Sequence, residues 1–319
     1  MLWLSALLRK SWATNQCLTV LIVFSVICFL ISVFGLAVDT RLINGEHGWV
    51  KPIKFSISLS MYGLTLLWFS QFLSKHRTAF RRVCVGALAG TVVELSAIIL
   101  QVIRGTSSHF NTITPFDHAV FWVTAFAILP IAFGTLALFF MLLREENLPP
   151  VLGAALKWGV ILTVLGCIPG VLMLLPAAVQ DFITHSKQFT GHSVGISQGG
   201  PGLPFLGWST VAGDLRVAHF LGIHALQVMP IVGYLVMKIF SRLSTIRQEL
   251  LVGNVGVAYC CGIVLLTNQA LAAEPLTAPS HHTLVYALLI VLFSLTSLAS
   301  ILLAPPLAVP SEWQEVESA

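Results

Sequence analysis

Residues 18–38 read LTVLIVFSVICFLISVFGLAV, twenty-one positions without a charged side chain. A bilayer's hydrocarbon core takes about 20 apolar helical residues to cross, so this stretch spans a membrane on length alone. Further windows of the same character follow at 55–73, 83–103, 119–143, 156–179, 216–240, 250–270 and 283–304. All are too long for the roughly 10-residue strands of a membrane barrel. The whole chain of 319 residues is 56% hydrophobic and only 9% charged, with a mean hydropathy of +0.89, where a soluble domain carries about a quarter charged residues. The predicted fold is an all-α polytopic bundle of eight transmembrane helices. It divides into a surface segment over 1–17, one membrane domain over 18–304 and a short acidic tail over 305–319.

The Lys and Arg residues between the windows set an orientation. With the N-terminus inside, Arg9, Lys10, Lys75, Arg77, Arg81, Arg82, Arg144, Lys157, Lys238, Arg242 and Arg247 are cytoplasmic, while Arg41, Lys51, Lys54, Arg104, Lys187 and Arg216 are outside, 11 against 6. Both termini are expected in the cytoplasm, in a bacterial inner membrane. The net charge of +4 is this bias. Its cations are scattered among short turns, so nucleic acid is excluded as a partner and the bilayer is the expected one. A cleaved leader is disfavoured, because the run from Leu18 exceeds the 7–15 residues of a signal core. The six cysteines contain no C-x-x-C spacing, so neither a thiol-redox motif nor a structural zinc knuckle is expected.

That topology puts nine of the ten histidines on the outer side, all but His76. His47, His185, His192, His281 and His282 fall in loops. His109, His118, His219 and His224 lie at or below the outer interface and are the candidate metal ligands. The outer connections are the long ones, above all 180–215 with its GGPGLP run.

Polar groups inside the windows are the second signal. Glu94 sits about 15 Å below Arg104 at 1.5 Å per residue, and Gln101 shares its face. An ionisable side chain at that depth is expensive and points to function. On the second window Lys51, Lys54, Ser58, Tyr62 and Thr65 recur at helical offsets, making one face polar from the rim inward. The sixth window opens DLRVAHFLGIHALQ (214–227) and carries Arg216, His219, His224 and Gln227. Thr114-Pro115-Phe116-Asp117 reads as a helix start with its cap, and Asp214 as another.

Together these residues predict an outward-facing pocket between windows two, three, four and six. Glu94, Asp117 and His224 are its candidate catalytic groups, and Lys51, Lys54, Arg104, Arg216 and Gln227 would hold a small anionic or lipidic ligand. Three readings compete. A haem or divalent-metal enzyme would use the imidazoles as ligands and the cations for propionates or phosphate. A proton-coupled carrier or sensor would use Glu94 and His224 as a relay. A structural or assembly protein would use the same polar groups to join helices.

Ser108-His109, Asp117 and the later histidines resemble the seven-helix zinc hydrolases of the ceramidase and adiponectin-receptor group. That group presents two histidines on one helix face; His219 and His224 are five apart, so its chemistry is not carried over. RGTSSHFNTITPFD (104–117) and GWSTVAGDLRVAHFLGIHALQ (207–227) are also similar to segments of multi-pass bacterial membrane proteins, a likeness that implies no activity.

Overall fold

The computed structural model describes residues 2–175, 179–180, 183, 189–196 and 200–305. Among them, seven helical segments are long and apolar enough to cross a membrane: Gln16–Val38, Ser74–Ile103, Pro115–Leu143, Pro150–Leu174, Leu215–Ile239, Thr245–Leu271 and His281–Leu303. The chain is an α-helical bundle with the make-up of a multi-pass membrane protein. The expected window at 55–73 is also a helix, α3 (Val50–Phe69), but it is not one of those seven. Its two lysines, its serines, Tyr62 and Thr65 leave it less apolar than the rest.

Helix α1 (Leu2–Thr14) ends at Asn15, whose extended backbone separates it from α2 (Gln16–Val38). The Asn15 carboxamide caps the new helix by accepting from Leu18 N at 3.1 Å and donates to Cys84 Sγ on α4 (Arg77–Ile103). Helices α2 and α3 are joined by a tight hairpin of β1 (Leu42–Ile43) and β2 (Glu46–His47). Asn44 and Gly45 turn it with φ of 52° and 82°, the mirror-image turn that matches strand twist and that Asn-Gly favours. The hairpin is pinned by the Trp49 indole, which donates to Asp39 Oδ2 at 2.8 Å.

The window expected over 119–143 is two helices, α5 (Pro115–Ala127) and α6 (Leu129–Leu143), parted at Ile128. Pro130 falls in the first turn of α6, where its missing N–H costs no helical bond. Helix α7 (Pro150–Leu174) begins six residues before the expected 156, with Pro150 in its first turn. Pro169 and Pro230 are inside α7 and α8 (Leu215–Ile239), whereas Pro176 lies outside the described residues. Helices α7 and α8 make the most intimate pair, with Gly166 facing Gly222. Helix α9 (Thr245–Leu271) packs on both, and α10 (His281–Leu303) packs on α9 without a buried residue.

Part of the expected long connection 180–215 is ordered as a three-stranded antiparallel sheet. It comprises β3 (Phe189–Thr190), β4 (Ser193–Val194) and β5 (Gly213–Asp214), the last leading directly into α8. Arg41 donates to the carbonyls of Val102 and Ile103, and Lys54 donates to the carbonyl of Leu206. These bonds put the α2–α3 hairpin, the 104–114 segment and the 200–214 segment at one loop-rich end. The opposite end is closed by apolar packing of Leu18, Leu21, Leu66, Phe69, Cys84 and Ala87.

Candidate functional site

At the loop-rich end a hydrogen-bonded chain runs from the rim into the bundle. Lys51 Nζ lies 3.1 Å from His109 Nδ1, Ser108 Oγ lies 3.0 Å from the same nitrogen, and His109 Nε2 lies 3.1 Å from Glu94 Oε1. An ammonium has only hydrogens to give, so Nδ1 is the acceptor and the imidazole proton sits on Nε2, facing the carboxylate. Burial keeps the His109 imidazole below its ordinary pKa, Lys51 adds to that, and Glu94 opposes both. Glu94 is 1% exposed. Its Oε1 accepts from His109 Nε2, while among the described residues no group hydrogen-bonds Oε2.

Lower on the same face of α3 a second chain crosses to α8. Ser58 Oγ lies 3.1 Å from His224 Nε2, His224 Nδ1 lies 3.3 Å from Gln227 Oε1, and Gln227 Nε2 donates to Thr65 Oγ1 at 3.2 Å. Gln227 Oε1 can only accept, so His224 carries its proton on Nδ1 and accepts from Ser58. Both ring nitrogens are then satisfied. Tyr62, expected on this face, instead reaches Thr135 Oγ1 on α6 at 3.2 Å.

The expected cations are held by carboxylates. Arg104 bonds Gln101 Oε1 and Asp117 Oδ1, both at 2.5 Å, and lies over the Phe116 ring. Asp117 also accepts from Gln101 and Thr114 while Thr114 caps α5. Lys54 pairs with Glu46 at 2.9 Å and Arg216 with Asp214 at 2.6 Å. Those two pairs meet around Leu206 and Gly207, whose carbonyls accept from Lys54 and Arg216 respectively. Lys51 is the candidate cation whose short contact is an imidazole.

The four candidate metal histidines are not brought together. His109 serves Glu94 and Lys51, and His224 serves Ser58 and Gln227. His219 Nδ1 lies 2.7 Å from the carbonyl oxygen of Gly166, its ring against Gly170, while His118 is exposed and accepts from the Trp122 indole at 2.9 Å. Among the described residues, no three His, Cys, Asp or Glu side chains come together in a group that could hold a metal ion. His185 lies outside the described residues. The expected single pocket thus divides into a Lys51–His109–Glu94 chain, a Ser58–His224–Gln227–Thr65 chain and three carboxylate-held cations.

One residue the sequence did not single out also takes part: Glu46, in a loop with no periodicity, pairs with Lys54. The 189–214 sheet has a role too. Burial pushes the His192 imidazole down to about 3, with Arg216 adding to the effect. The unfolded chain therefore binds a proton that the folded one refuses as pH drops below about 6.5. The melting temperature in detergent is expected to fall between roughly pH 6.5 and 3, and His192→Gln is expected to flatten that limb. An unchanged profile in the variant would remove His192 as the cause.

Compared with family models, with curated proteins and with solved structures, the chain matches none.

Proposed function

We propose that this chain is an eight-span bacterial inner-membrane protein with both termini in the cytoplasm, its loop-rich end outside, and that it works as a proton-coupled carrier. The distribution of Lys and Arg, 11 against 6, supports that orientation. The observation that carries the function is the Lys51–His109–Glu94 chain. It links a rim lysine to a carboxylate deep in α4, through an imidazole with both ring nitrogens engaged. Such a side chain can take a proton on one nitrogen and release one from the other. Glu94 is buried, and apolar side chains pack at the opposite end, as a carrier's occluded state requires. A metal or haem enzyme is supported less well, since each described candidate histidine already has a partner of its own.

Proton uptake into vesicles holding the full chain, read with an internal pH dye after an imposed pH step, tests the reading. Glu94→Gln and His109→Gln are each expected to slow uptake by about 100-fold, the scale of losing a positioned proton-transfer group. His118→Ala should leave it unchanged. Uptake at the unmodified rate in Glu94→Gln would overturn the carrier reading.

A further inference from the structure

At the end of the bundle opposite the loops, α1 and the first half of α2 border a groove of about 590 Å³. That is within the range of small-ligand pockets, about 300–1,000 Å³. Leu8, Arg9 and Trp12 line it from α1, and Val20, Val23 and Ile27 line it from α2. Residues three or four apart share a helix face, so one stripe of each helix looks onto the other across the groove. The apolar members of both stripes are exposed. Helix α1 has 13 residues, about 20 Å of helix, too short for a hydrocarbon core of about 30 Å. The extended backbone of Asn15 ends it and starts α2. The groove is therefore the elbow between a helix too short to span and one long enough to do so. From Asn15 to Ile27 its wall runs about 18 Å along α2, close to the acyl layer of one leaflet, which is half of about 30 Å.

The charge at the mouth of the elbow is of one sign. Residues 1–38 contain no Asp or Glu, and among the described residues no carboxylate pairs with Arg9 or Lys10. Arg9 makes one long hydrogen bond, Nη2 to Ser5 Oγ at 3.5 Å, and a guanidinium has five N–H donors to place. Asn15 donates to Cys84 Sγ, which brings the start of α4, with exposed Arg77, Arg81 and Arg82, to the same end. The acids in the 144–149 connection are engaged elsewhere: Glu146 pairs with Lys75, and Glu145 lies 3.8 Å from His76. Thr19 Oγ1, also on the groove, donates to the Asn15 carbonyl. Arg9 is thus the charged group that lines the groove, and the side chains below it are apolar.

We propose that this elbow binds one anionic phospholipid from the leaflet on the α1 side, with an acyl chain along Val20, Val23 and Ile27 and its phosphate on Arg9. The occupant must be apolar over a leaflet's depth and negative at one end. A phospholipid with a net negative headgroup is both. An arginine fork suits a phosphate, and Trp12 suits the boundary between headgroup and chain. A surface helix that combines apolar contact with cations gains from anionic lipid on both counts. The site lies apart from the Lys51–His109–Glu94 chain and does not rest on the carrier reading.

Thermal unfolding of the purified, delipidated full chain in detergent is measured against added dioleoyl phosphatidylglycerol, dioleoyl phosphatidylcholine and inorganic phosphate. A ligand that binds only the folded state raises its stability with concentration. The melting temperature is expected to rise with phosphatidylglycerol and to saturate, to rise little with phosphatidylcholine and to stay level with phosphate. Arg9→Gln should move the phosphatidylglycerol midpoint upward by about tenfold, the scale of one charge-assisted hydrogen bond. Lys10→Gln, which removes the same charge beside the groove, should move it less. Val23→Trp, which fills the groove from an exposed position, should abolish the response while the protein stays folded. Equal responses to the two lipids, a response to phosphate alone, or equal shifts in Arg9→Gln and Lys10→Gln would each overturn the site. A flat response to both lipids would also overturn it, and a dimer in size exclusion that Val23→Trp dissociates would give the groove to a second copy of the chain.

Discussion

Replacing Gly222 by leucine is expected to leave no monodisperse protein after extraction, the largest structural effect of any single substitution considered. Helices α7 and α8 touch through backbone here. A Cβ on Gly222 would fall inside the contact radius of Gly166 Cα and 3.0 Å from Gly166 N, and a Cβ on Gly166 would lie 2.8 Å from Ile223 N. No rotamer relieves such a clash, because the obstacle is main chain. Overpacking of flexible side chains costs about 1–3 kcal/mol; a backbone obstacle that forces two helices apart belongs above that range, at about 4 kcal/mol or more. The separation would also remove the contact of His219 Nδ1 with the Gly166 carbonyl, 2.7 Å in the native pair. Gly222→Ala should be milder but still lower the melting temperature. Gly262→Leu is the control, since nothing lies within 4 Å of a Cβ there. Size-exclusion profiles and melting curves in detergent check all three. A well-folded Gly222→Leu protein would mean that the α7–α8 crossing is not the closest contact in the bundle.

That crossing shows which part of the structure could be read from the chain. The apolar windows gave helices because length and hydropathy are local properties, and the polar face of α3 was visible in the spacing of Lys51, Lys54, Ser58 and Thr65. What lies opposite a face is not local. Tyr62 occupies the expected face by period yet bonds Thr135 on α6, and Arg104, counted as a ligand-binding cation, is held by an aspartate thirteen residues on. The hairpin at Asn44-Gly45 was not expected from the chain, and Glu46 has its role only through Lys54, which also bonds the 206–207 segment. The histidines show the same limit. A shared side of the membrane put His109, His118, His219 and His224 in one class, but each makes its own contacts. Glu94 stood out because a carboxylate in an apolar run breaks a local rule.

Asp214→Ala should destabilise the protein by about 3 kcal/mol, and the reasons separate into parts that different substitutions isolate. Asp214 is 3% exposed and stands at the start of α8. Oδ1 caps the helix by accepting from Arg216 N at 3.0 Å, Oδ2 accepts from Ser209 N at 3.0 Å, and the Arg216 guanidinium bonds both oxygens. Loss of an N-cap costs about 1 kcal/mol. Stranding a buried partner costs more, about 3–5 kcal/mol when it is fully enclosed, but the Arg216 side chain is 31% exposed and keeps the Gly207 carbonyl, so a smaller share applies. Asp214→Asn retains one acceptor oxygen, and should lose less than Asp214→Ala. The pH dependence separates charge from cap. Burial pushes the Asp214 carboxyl up, yet Arg216 and the Ser209 N–H more than offset this, and its pKa sits below the ordinary carboxylate value. Its stabilisation is therefore complete above the unfolded pKa of about 3.9 and disappears as pH falls through the lower folded value. Both variants should flatten the acid limb below about pH 4, while only Asp214→Ala loses the cap at neutral pH. Equal losses in the two variants at neutral pH would assign the whole effect to the ion pair with Arg216. Because β5 carries Asp214 directly into α8, that result would make Arg216 the group that fixes the 206–209 segment over Lys54.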